Sequence, residues 1–106
     1  QQQFKFVFLS MRGPVREGEA LQLQEIRLYG VDGVSIPLHR AKNPGGNSPT
    51  TQGPSNIIDG DDRARKSKWV DMNFTAARQS VLLLGAGELP AERRRYQLAS
   101  YDLVTA

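Results

Sequence analysis

Residues 43–73 read NPGGNSPTTQGPSNIIDGDDRARKSKWVDMN, and this stretch decides the fold. Its first half is a connection built from turn formers. Pro44, Pro49 and Pro54 fix φ, while Gly45, Gly46 and Gly53 accept the positive φ that other residues avoid. A loop this long inside a small domain is either functional or disordered. Its far end runs into Ile57-Ile58 and then, past a basic turn, into Trp69-Val70. We therefore expect an ordered loop, tied down at an apolar anchor.

The segments on either side read as strands. Phe4, Phe6 and Phe8 alternate with Lys5, Val7 and Leu9, the period of two that a strand imposes. Apolar residues on both faces predict a strand covered on both sides. Leu21 and Leu23 begin a second alternation, and Ile26 and Leu28 continue it one residue out of phase, as a β-bulge would. Asp32-Gly33 marks a hairpin-type turn. A short strand is expected over 34–38, with Pro37 at its edge or end. Residues 68–74 set Trp69, Asp71 and Asn73 against Val70, Met72 and Phe74, and 81–84 is an apolar run short enough for a buried strand that Gly85-Ala86-Gly87 breaks. Strand-like residues return at 96–98 and 101–104. Helical periodicity is hard to find beyond a turn at 90–96. Short strands separated by Gly/Pro loops predict an all-β fold, an antiparallel sandwich or barrel.

The chain has 106 residues, enough for one domain over 1–106 with a modest core. It contains no cysteine, which removes disulfides, thiolate metal sites and cysteine nucleophiles, and fits a reducing compartment without assigning one. No apolar run is long enough to cross a bilayer as a helix. A start at Gln1 rather than Met reads as a processed chain, for instance one in an organelle or a membrane-associated complex, or as an excised domain. The formal net charge of +3 is lumpy, concentrated in 63–68 and 93–95. Arg63, Arg65, Lys66, Arg93, Arg94 and Arg95 are the candidate partner-binding residues, suited to acidic protein surfaces.

The order Ile58-Asp59-Gly60-Asp61, then Lys68-Trp69, resembles the discoidin family, the galactose-binding-like domains also found at the C-terminus of coagulation factors. Leu23, Glu25, Ile26 and Tyr29 fall where that family places the strand-turn-strand before the loop, and residues 96–106 resemble a later strand. The resemblance covers most of the chain from about Leu21 onward. It implies an antiparallel jelly roll whose further strands lie beyond Ala106, so that the sandwich is expected to be completed by more of the chain or by a partner. It also implies a core position for Trp69; Ile58, Phe6, Leu23 and Ile26 are the other residues we expect in the core.

The chemistry points away from catalysis. His39 is the lone histidine and has no neighbouring base, and no serine or glycine-rich motif supplies a nucleophile or phosphate cradle. Asp59 and Asp61 are the candidate ligands of a structural Ca2+, ranked behind simple turn chemistry. In the family the loop before Asp59 carries the ligand site. Here it offers His39, Arg40, Asn43 and Asn47 for hydrogen bonds and no aromatic residue for a sugar to stack on. We expect a non-catalytic accessory or scaffolding subunit that works through protein contacts. Carbohydrate binding is the alternative, and nucleic acid ranks behind both because the net charge is small.

Overall fold

The computed structural model describes residues 2–10, 20–60, 67–87 and 96–105. It is an all-β antiparallel sandwich of two three-stranded sheets. One sheet has the order β1 (Gln3–Leu9), β5 (Gln79–Ala86), β3 (Leu38–Lys42); the other has β4 (Trp69–Asp71), β2 (Leu21–Gly30), β6 (Leu98–Thr105). The remaining elements are a 3-10 helix at Pro54–Ile58 and a single turn of helix, α1, at Phe74–Ala77. Phe4, Leu82 and Leu84 from the first sheet meet Leu23, Ile26, Leu28 and Trp69 from the second in one core, with Ile57 of the 3-10 helix fully buried among them. Phe6 and Ile58 pack against that core half-buried.

Local chemistry accounts for several elements. The expected phase slip in β2 appears as a register shift between Leu23 and Glu25 against β6, which turns both Leu23 and Ile26 inward. The turn after β2 is closed by the Gly33 amide donating to the Gly30 carbonyl at 2.9 Å, and Gly33 sits at φ 77°. Gly33→Ala is expected to destabilise the protein by about 1–2 kcal/mol, because an L side chain at that φ meets its own carbonyl. Urea unfolding measures it, and an unchanged midpoint would refute the account.

Three expectations are corrected. The strand anticipated over 34–38 is only an isolated bridge, Ser35 to Tyr29, and the true strand begins at Leu38. Pro37 is the corner at which the chain leaves one sheet for the other. Having no N–H, it contributes only its carbonyl, which accepts from the Gly87 amide at 2.6 Å. The strand anticipated over 68–74 stops at Asp71, because its carboxylate captures the Asn73 amide at 2.9 Å and turns the chain into α1. Finally, β5 does not break at Gly85 but runs on to Ala86. A Cβ at Gly85 would lie 3.1 Å from the Arg40 Cβ, so the glycine serves close packing inside the strand.

Candidate docking surfaces

The long loop is fastened rather than free. Its carbonyls at Asn47 and Gln52 accept from the Met72 and Val70 amides, at 2.8 and 3.0 Å, so it lies along β4. Asn73 Nδ2 donates to the Gly45 carbonyl at 2.8 Å, and Asn56 Nδ2 donates to the carbonyls of Thr51 and Lys68. The centre of this lattice is Asp71. Buried to 1% exposure, it accepts the Asn47 amide at 3.0 Å and the Asn73 amide on one oxygen, and the Ser80 hydroxyl at 2.5 Å on the other.

Of the four residues expected to contact a ligand, His39 and Arg40 lie on β3 and Asn43 and Asn47 in the loop that follows it. Asn43 spends its side-chain amide on the Val81 carbonyl at 2.8 Å, and Asn47 gives its backbone to Asp71 and Met72. His39 is exposed at the bulge between Leu38 and Arg40, and Arg40 lies on the outer face of β3. A cleft of about 190 Å³ runs between Glu25 and Arg27 on β2, Pro37 at the corner, and Ile58 and Gly60. It takes in none of the four. Glu25, almost fully buried at the β2 bulge, is the polar residue that sequence reading placed in the family pattern without foreseeing its burial.

Asp59 is exposed, at the end of the 3-10 helix, and its carboxylate accepts the Ser67 hydroxyl. Asp61 lies outside the described residues, as do Arg63, Arg65, Lys66, Arg93, Arg94 and Arg95. No group of three His, Cys, Asp or Glu residues that could hold a metal ion occurs among the described residues.

Two surfaces stand out whose residues the sequence did not single out. The first is the side of the sandwich where β1 and β6 lie. Both are edge strands among the described residues, and the Phe6 and Tyr101 rings meet edge-to-face across the gap at 5.2 Å. Tyr101 and Leu103 pair with the buried Leu28 and Ile26, so they point toward the core, yet they are 51% and 39% exposed. Beside them Gln2, Phe4, Tyr96 and Leu98 line a cleft of about 430 Å³. Gln2 pins this corner through its side chain, donating to the Tyr96 carbonyl at 2.5 Å and accepting the Tyr96 amide at 2.6 Å.

The second is the outer face of the β1–β5–β3 sheet. Sequence alternation predicted that β1 would be covered on both sides. Instead Val7 and Leu9 stand 46% and 60% exposed. Alternation did identify the apolar residues; it could not say that, among the described residues, no second layer lies over them.

Comparison of the chain with protein-family models, with curated proteins and with solved structures returns no match. Among the described residues no helix is long and apolar enough to cross a membrane.

Proposed function

We propose that this chain is a non-catalytic protein-binding module, of discoidin-like jelly-roll type, that serves as an accessory or scaffolding subunit by accepting a strand of a partner polypeptide beside β6. The observation that carries this is β6 itself. Its core-facing Tyr101 and Leu103 are too exposed for a finished sandwich, and its outer edge offers backbone donors and acceptors with no neighbouring strand among the described residues. An added strand gains main-chain hydrogen bonds and covers alternate side chains, which is how extended peptides bind sheet edges. Open edges left uncovered invite unwanted pairing. The discoidin reading draws support from the Asp59-Gly60 turn, with Gly60 at φ 81°, and from the burial of Trp69 a few residues beyond it.

Sugar recognition has less support, since Asn43 spends its side-chain amide on the Val81 carbonyl and the loop carries no aromatic residue for a sugar to stack on. The test is site-specific photocrosslinking in the native host. A benzoylphenylalanine in place of Tyr101 is expected to give a covalent product containing a second polypeptide. The same group in place of Met72, exposed just past β4 at the opposite edge of that sheet, is expected to give none. Equal crosslinking at both positions, or none at Tyr101, would overturn the proposal.

A further inference from the structure

The outer face of the β1–β5–β3 sheet has a charge and an apolar pattern of its own. Register places Lys5, Leu83 and Lys42 in one row across the three strands, with Val7 and Val81 in the next row and Gln3, Gly85 and Arg40 in the row on the other side. All point away from the core, because their neighbours Phe4, Phe6, Ala41, Leu82 and Leu84 point into it. Lys5, Arg40 and Lys42 are exposed, Val7 and Leu9 are exposed, and Val81 and Leu83 are half-buried. Arg40 is held in place: its Cβ and Cδ lie 3.1 and 3.9 Å from where a Gly85 Cβ would be, so its stem runs over the glycine of the central strand.

No carboxylate among the described residues shares this face. Glu25, Asp71 and Asp102 belong to the other sheet, Asp32 to the turn after β2, and Asp59 to the end of the 3-10 helix. Among the described residues, this aliphatic centre is thus flanked by cations alone.

We propose that this face is a second docking surface, independent of strand addition at β6, and that it takes an acidic amphipathic helix of a partner protein. A helix about 10 Å across matches three strands spaced about 4.8 Å apart, and helix on sheet is a standard way to cover an apolar sheet face. Leucines of the helix would cover Val7, Val81 and Leu83, while glutamates along its flanks meet Lys5, Lys42 and Arg40. Burial of the aliphatic side chains supplies the affinity; the charges set orientation and association rate. A second copy of this chain is disfavoured because its face would present the same three cations. A bilayer is disfavoured because the three strands present no aromatic residue on this face to sit at the headgroup level. Nucleic acid lacks a stacking platform here for the same reason.

The test uses the whole chain and a fluorescent synthetic helix with a leucine stripe flanked by glutamates, read by anisotropy. Saturable binding is expected, weakened about tenfold by Lys5→Glu with Lys42→Glu, and about tenfold by Val7→Ser with Leu9→Ser. Added salt is expected to weaken binding to the wild type and to the serine variant alike, and to strengthen binding to the glutamate variant, whose new carboxylates repel those of the helix. Thermal melts of both variants should match the wild type, since the replaced residues are exposed. Tyr101→Ser should leave this binding unchanged, which separates it from the β6 reading. No binding, equal binding by all variants, or equal binding of a helix with serines in place of its leucines would overturn the proposal. So would binding only to phosphatidylserine–phosphatidylcholine vesicles, or a dimer of the protein alone that Val7→Ser with Leu9→Ser abolishes.

Discussion

Trp69→Ala is expected to destabilise the protein by about 3–5 kcal/mol, the range for deleting a fully buried large aromatic side chain. Trp69 is 0% exposed, pairs with Leu23 in the centre of its sheet, and meets the Phe8 ring edge-on at 6.0 Å across the sandwich. Its loss leaves a cavity at the junction of both sheets and the 3-10 helix. For a domain of this size that is a large share of the total stability. Trp69→Phe is expected to cost far less. The indole Nε1 is buried with no hydrogen-bond partner among the described residues, and an unsatisfied buried donor costs about 1–3 kcal/mol. Phenylalanine removes that burden while keeping most of the ring contacts. Urea unfolding followed by circular dichroism measures both, since the only tryptophan is the residue replaced. A Phe variant as unstable as the Ala variant would contradict this account of the indole nitrogen.

Trp69 was legible in the sequence because it stands alone as a large aromatic at the end of a turn-rich segment. The β2 bulge was legible because two leucines and an isoleucine-leucine pair fell out of phase, and Asp32-Gly33 carries its turn in its own stereochemistry. What could not be read were features decided by a distant partner. The switch between sheets at Pro37 depends on Gly87, fifty positions away in the chain. The exposure of Val7 and Leu9 depends on whether another layer lies above them, while the alternation of β1 is the same whether that layer exists or not. Tyr101 and Leu103 likewise read as ordinary strand residues, and only their place on an edge strand makes them exposed. The surfaces proposed for binding are thus the places where sequence pattern and burial disagree.

Asp71 is the clearest case of a residue whose role lay hidden, and its replacement is the other large expected effect. Asp71→Ala removes the acceptor of two backbone amides and one hydroxyl inside the protein, and hydrogen bonds to a charged group are worth about 1.5–3 kcal/mol each without being additive. A loss of about 3–5 kcal/mol is expected. Asp71→Asn keeps one oxygen for Asn47 and Asn73, and Ser80 can rotate its hydroxyl to accept from the new amide, so a cost of about 1–2 kcal/mol is expected. The two variants also separate local from global consequences. With Asp71 gone, the loop loses its hold at Asn47, and the neighbouring bonds from Met72 to Asn47 and from Val70 to Gln52 should open first. Hydrogen exchange at the Val70 and Met72 amides is therefore expected to accelerate in Asp71→Ala under conditions where the Leu82 and Leu84 amides of β5 stay protected. Uniform acceleration across all four would mean that Asp71 supports the whole sandwich equally and not the loop in particular. Loop-first opening would instead identify the glycine-rich stretch as scaffolding held by one carboxylate. The side chain of Asn43, bonded to the Val81 carbonyl, and the backbone of Asn47, bonded to Asp71 and Met72, would then be two parts of one fastening.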